Sequence, residues 1–135
     1  MYIIIIGCGR IGSIAARELS DRGDNVSVID RDSSRLSVMG SGFNGQIING
    51  IEFDTDILIR AGAENADLVL AVTPDDNINI TVSLVLKRVF NNPRIIARVC
   101  SQDKKYIYEK LEIETINPTQ LGVDMLLSRA GDNKL

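Results

Sequence analysis

"MYIIIIGCGRIGSIAAREL", residues 1–19, contains the transition on which the fold turns. An apolar run stops at Gly7, and glycines follow at positions 9 and 12. From Arg10 onward Ile11, Ile14, Ala15 and Leu19 recur at helical spacing, with a stop signal at Gly23. The run at 3–6 is continuously apolar rather than alternating, as expected of a strand with both faces covered. Strand, glycine turn and helix in that order make a βα unit.

The same rhythm repeats downstream. Short apolar runs predict strands at 2–6, 26–30, 46–49, 68–73, 95–99 and 114–117, and amphipathic segments predict helices at 10–22, 32–39, 54–61, 75–90 and 102–110. Alternation of this kind selects the α/β class: a single Rossmann-like doubly wound parallel sheet of about six strands with helices on both faces. Residues 1–117 are assigned to this nucleotide-binding domain and 118–135 to a C-terminal helix and tail. Pro118 and Gly131 are expected to bound that helix, whose Leu121, Met125, Leu126 and Leu127 form an apolar face in need of a partner surface, expected to be another subunit.

Within the turn each glycine has a separate task. Gly7 turns the chain out of the strand, Gly9 leaves room for a phosphate to approach the backbone, and Gly12 lets helix and strand pack closely. Backbone N–H groups at the helix N-terminus, including those of Arg10 and Ile11, then face the phosphates, with the helix dipole adding to the attraction. Asp30 lies 18 residues beyond Gly12 at the end of the second strand, placed to accept ribose hydroxyls and to repel a 2′-phosphate. NAD(H) or ATP/ADP is therefore expected over NADP, although Arg31 is able either to flank an adenine ring or to hold a 2′-phosphate. A glycine turn that binds nothing, with Asp30 simply capping the next helix, is the plainer alternative.

The other half of the sheet contributes "AVTPDDNIN", residues 71–79. Thr73 is expected where the strand order reverses, and Asn79 is expected to face the same crevice and bond a base or ribose. Asp75 and Asp76 read as helix N-terminal charges rather than a metal pair, and no metal is assigned. The following stretch, "INITVSLVLKRVF", is apolar nearly all round: Ile78, Val82, Val85 and Val89 form one stripe, with Ile80, Leu84 and Phe90 pointing elsewhere. One face is expected on the sheet and the other on a neighbouring subunit, unless both are covered within the chain.

Composition narrows the classes. Fifteen Lys and Arg against 18 Asp and Glu leave a formal charge of −3, without the basic excess of a nucleic-acid binder. Cys8 and Cys100 show neither metal nor disulfide spacing and read as reduced thiols, Cys8 as an apolar filler of the turn. The run at 3–6 is far shorter than a signal-peptide core of ~7 to 15 residues, and no apolar run approaches the ~20 residues of a membrane span. A soluble cytoplasmic chain without direct membrane insertion is expected. With no histidine, the commonest general base is absent, and no nucleophile pair is evident, so the site reads as one that binds.

Taken together, "IIIIGCGRIGSIAAREL", "VSVIDRD", "AGAENADLVLAVTPDDNIN" and "IIARV" resemble the nucleotide-binding lobe of potassium transport regulators, the TrkA N-terminal, KTN or RCK domains. The resemblance runs from residue 1 to about residue 130. It implies a Rossmann lobe that binds NAD(H) or adenine nucleotides, forms homodimers or higher rings, and passes a ligand-dependent change of shape to a membrane potassium channel or transporter. By this likeness Arg10 reaches a terminal phosphate, in some members across the dimer interface, and Arg98 supplies a basic group at the end of the fifth strand. A structural pairing of Arg98 with a carboxylate stays open. Where the family commonly shows a Gly-Asp-Ala-like turn after the third strand, Asn49, Gly50 and Ile51 stand, which implies the loss of an acidic contact on the adenosine side. The family's C-terminal ligand-binding lobe is also missing, leaving a stand-alone regulator subunit or a fragment of a longer one.

The expected cofactor-binding set is Gly7, Cys8, Gly9, Arg10, Ile11, Gly12, Asp30, Arg31, Asn49, Gly50, Thr73, Asn79 and Arg98. The expected function is a non-enzymatic regulatory subunit at the inner face of the membrane. A small NAD-dependent oxidoreductase acting with a partner chain and a purely structural scaffold are the alternatives.

Overall fold

Four consecutive isoleucines, Ile3 to Ile6, are each wholly buried, and the architecture follows from having to cover both sides of them. The structure is a computed structural model describing residues 1–90 and 93–132, so the expected tail at 133–135 lies outside the described residues. Six parallel strands, β1 (Tyr2–Ile6), β2 (Asn25–Asp30), β3 (Gln46–Asn49), β4 (Leu68–Ala71), β5 (Arg94–Arg98) and β6 (Glu114–Ile116), form one sheet in the order β3-β2-β1-β4-β5-β6. The doubly wound parallel sheet read from the sequence is the fold.

Helices α1 (Arg10–Asp21), α2 (Ser33–Leu36), α3 (Thr55–Arg60), α4 (Asp76–Val89), α5 (Lys105–Lys110) and α6 (Pro118–Asp132) complete the chain. Because strand side chains alternate, two cores result. Ile3, Ile5, Val26 and Val28 pack with Ala16 and Leu36 under α1 and α2. Ile4, Ile6, Ile29 and Val69 pack with Leu58, Val82, Leu86 and Tyr108 under α3, α4 and α5. Burying one such isoleucine contributes roughly 1.5–3 kcal/mol, so β1 anchors both layers.

The sequence boundaries shift at the ends of elements. The second helix is only Ser33–Leu36, continuing as a 3₁₀ turn over Ser37–Met39, and a 3₁₀ turn over Gln102–Lys104 precedes α5. Gly131 does not end the last helix but lies inside α6, whose bounds reach Asp132. The apolar stripe of α4 is also reassigned. The buried line is Asn79, Val82, Ser83 and Leu86, with Phe90 just beyond the helix, whereas Val89 is 56% exposed.

At the carboxyl edge of the sheet, polar side chains close the loops. Asn79 is wholly buried: its Oδ1 accepts from Thr73 N at 3.0 Å and Thr73 Oγ1 at 2.8 Å, while its Nδ2 donates to Thr73 O at 2.9 Å and Arg98 O at 3.0 Å. One amide thus holds the exits of β4 and β5 to α4. Asp76, also buried, accepts from the backbone N–H groups of Cys100 and Ser101 at 2.8 and 2.9 Å. Asn79→Ala is expected to lose about 2–4 kcal/mol of stability, because four hydrogen-bonding groups lose their partner inside the protein. The denaturant midpoint checks this; a shift under about 0.5 kcal/mol contradicts the assignment.

Candidate functional site

β1 has β2 on one side and β4 on the other, with Ile6 opposite Ile29 and Ala71 at their carboxyl ends. Strand order reverses there, and α1 and α4 leave on opposite layers, which opens a crevice above the strand ends. A cleft of about 670 Å³ occupies it, lined by Gly9, Arg10, Ile11, Arg35, Val72, Pro74 and Arg98. A second cavity, of about 410 Å³, lies at the opposite end of the strands, where Ser27 Oγ bonds Tyr2 OH and donates to Gln46 Oε1, each at 3.0 Å.

The glycines divide as their spacing implied. Gly7 has φ +103°, a left-handed conformation that a side chain resists, and its N–H continues the ladder to Ile29 O at 2.8 Å. A Cβ on Gly12 collides with the Gly7 carbonyl oxygen, so close strand-to-helix packing requires glycine there. Gly9 differs from both. Its φ of −81° suits any residue, and a Cβ placed on it meets nothing within 4 Å. Neither backbone strain nor packing within the chain calls for glycine at this position, which borders the cleft. As the N-cap of α1 it makes no side-chain hydrogen bond, leaving the helix's first N–H groups directed at the same space.

Asp30 has a double attachment that its sequence position does not reveal. It is 1% exposed, and its Oδ2 accepts from Cys8 N while its Oδ1 accepts from Asp32 N, both at 2.8 Å. The carboxylate ties the glycine turn to the start of α2. Burial, and secondarily the neighbouring Asp30 charge, push the Cys8 thiol up, which leaves it an unreactive filler.

Other expected site residues fall in different surroundings. Arg10 and Arg98 line the cleft, and Arg98 Nε is buried without a hydrogen-bond partner. Thr73 and Asn79 lie behind it, 3% and 0% exposed, with the Asn79 amide bonded to Thr73 and to the Arg98 carbonyl. Arg31 does not stand free beside an adenine position. Its guanidinium pairs with Glu52 through Nη2–Oε2 at 2.7 Å and Nε–Oε2 at 2.9 Å, above the Phe53 ring at 5.9 Å. Just past Asn49, Gly50 and Ile51, the loop after β3 carries Glu52, whose carboxylate is buried and turned to Arg31. Asn49 donates to the carbonyls of Asp30 and Arg31 at 3.0 and 3.1 Å, with Gly50 beside it.

Sequence reading missed Arg35 and Glu52. Neither stands at a motif position; α2 brings the first to the cleft and a tight turn brings the second to Arg31. No group of three or more His, Cys, Asp or Glu able to hold a metal occurs among the described residues.

Strand order, glycine turn and the acidic end of β2 define a Rossmann-type α/β domain with its crevice at the switch point. The chain belongs to the TrkA-N domain family, whose model matches residues 3–118. It is 38% identical over 129 residues to the "Trk system potassium uptake protein TrkA" of Streptomyces coelicolor, covering 96% of this chain and 58% of that protein. It thus spans little more than half of that relative. Among solved structures, the TrkA-N domain of inner membrane protein ybaL from Escherichia coli superposes with a TM-score of 0.84 at 19% identity, covering 94% of each chain. GsuK bound to ADP matches with TM-score 0.76 at 25% identity over 93% of this chain and 32% of that one. The GsuK channel bound to NAD matches with TM-score 0.77 at 18% identity, over 89% and 22%.

The glycines separate in a stability test. Gly12→Ala is expected to cost about 1–3 kcal/mol or more through backbone overpacking, while Gly9→Ala stays within about 0.5 kcal/mol of the parent. Thermal and denaturant unfolding of the two variants side by side read this out, and equal losses contradict the division.

Proposed function

We propose that this chain is a nucleotide-binding regulatory module of a potassium channel or transporter, taking NAD(H) or ATP/ADP in the cleft above β1 and β4. The observation that carries the reading is Gly9: nothing in the protein's own geometry calls for a glycine, and the space before it is ringed by arginines and helix N–H groups. Phosphates fit that space. The Asp30 carboxylate at the end of β2, whose two backbone donors leave lone pairs over, is the acceptor for the ribose hydroxyls in this reading. Support from relatives is consistent with this, since one is named for potassium uptake and GsuK binds ADP and NAD.

The site holds no acid–base pair placed for chemistry, and the chain has no histidine. Its output is then geometric: a ligand that binds one assembly better than another shifts the population between them. The surface for such assembly is α6, where Leu121, Val123, Met125, Leu126 and Leu127 are 41–69% exposed. A second copy of the chain burying these residues makes a homodimer or higher ring, seated at the cytoplasmic face through its membrane partner. No helix among the described residues is long and apolar enough to cross a membrane.

Calorimetry with ATP, ADP, NAD, NADH and NADP is expected to show binding, weakened at least about tenfold by Gly9→Ala and by about 1–3 kcal/mol in Asp30→Ala. Small-angle scattering with and without ligand is expected to report a change of shape; binding with no such change removes the regulatory half of the reading. Hydride exchange from labelled NADH onto a carbonyl compound would instead favour an oxidoreductase. For α6, replacing Leu126 and Leu127 with Asp is expected to leave the fold intact and lower the mass found by light scattering; an unchanged mass excludes the helix from the interface.

A further inference from the structure

α6 leaves the sheet at Asn117 and Pro118, and a pocket of about 190 Å³ sits in the elbow made there. Its floor is apolar: Val99, buried just past the end of β5, bonds through its N–H to the carbonyl of Ile116, the last residue of β6, at 2.8 Å. Leu121 adds an apolar contact from α6. The remaining lining carries one cation and one anion. Lys105, the first residue of α5, contributes from the sheet side, and Asp124 contributes from α6. Among the described residues neither makes an ion pair, with the other or elsewhere. Asp124 Oδ1 accepts from Gln120 Nε2 at 2.8 Å, a neutral donor that leaves the carboxylate charge uncompensated.

Opposite charges on the walls of one small pocket define what fits it. A phosphate meets Lys105 but is repelled by Asp124, and a metal ion or simple amine meets the reverse. A sugar leaves both charges without a counter-ion. An occupant that satisfies both carries an anionic and a cationic group on one small frame, with hydrocarbon for Val99, Ile116 and Leu121. The volume lies below the ~300–1,000 Å³ of pockets for drug-sized ligands, so the occupant is a small metabolite.

We propose that the elbow pocket is a second ligand site, separate from the cleft above β1 and β4, and that it takes a free α-amino acid with a short hydrocarbon side chain. The ligand's carboxylate meets the Lys105 ammonium, its ammonium meets the Asp124 carboxylate, and its side chain covers the apolar floor. Lys105 and Asp124 are exposed, so each ion pair contributes modestly and the affinity falls at about 0.1–10 mM. Such an occupant touches the sheet side and α6 at once, and so holds the elbow. The site stands independently of the nucleotide reading.

The test is a titration of the full chain with L-valine, followed by amide NMR. Two probes accompany it: valinamide, which lacks the carboxylate, and isovalerate, which lacks the ammonium. Valine is expected to give saturable shifts at residues 99–105 and 115–124, and each probe to bind at least about fivefold more weakly through the loss of one charged hydrogen bond. Lys105→Ala is expected to bring valine and valinamide within about twofold of one another, and Asp124→Asn to do the same for valine and isovalerate. A merely structural role for either residue does not exchange these preferences. Both side chains are exposed, so the amide spectrum remote from the elbow is expected to match the parent in each variant. Amide exchange over residues 117–121 is expected to slow with valine bound, and unchanged rates overturn the bridging of the elbow. No saturable shift up to about 50 mM, shifts confined to other regions, or equal response to the three compounds overturns the site. Lys105 and Asp124 closing on each other produces the first of these results. A parallel titration with ADP keeps the two readings apart: valine binding without ADP binding overturns the nucleotide reading alone, and the reverse overturns the elbow site alone.

Discussion

Burial of β1 on both faces is the constraint from which the rest of the structure follows. Ile3, Ile4, Ile5 and Ile6 have no exposed surface, so one helical layer cannot suffice and the chain must cross the sheet on alternate sides. Parallel strands need long crossovers, which the helices supply, and the strands' carboxyl ends then all face one edge. Polar loop groups collect along that edge because the faces of the sheet are closed to them.

Two buried side chains organise that edge from opposite halves. Asp30 joins the glycine turn to the start of α2, and Asn79 joins the exits of β4 and β5 to α4. Each satisfies backbone groups that would otherwise be buried without partners, and so fixes the walls of the cleft before any ligand arrives. The walls of the cleft are thereby held by the chain's own hydrogen bonds. Arg10 and Arg35, by contrast, reach it on exposed side chains that can rearrange.

α6 sits apart from this economy. No layer covers it, and its leucines face water along most of its length. A helix of this kind adds no core to its own sheet, but it offers another copy a continuous apolar surface.

Much of this was legible in the residues. The apolar run at 3–6, the glycines at 7, 9 and 12 and the later βα rhythm determined a doubly wound parallel sheet, since periodicity and glycine spacing are local signals. The same signals placed Asp30 and Arg98 at strand ends. What they left undecided was the direction in which polar side chains turn. Asn79 bonds Thr73 and the Arg98 carbonyl, and Glu52, just past the turn after β3, is clamped on Arg31. Arg35 stands at no motif position, and α2 carries it to the cleft. Only the tertiary structure decided these, because whether a polar group meets a ligand, water or a backbone carbonyl depends on neighbours many residues away, and no local pattern encodes which of them arrives first.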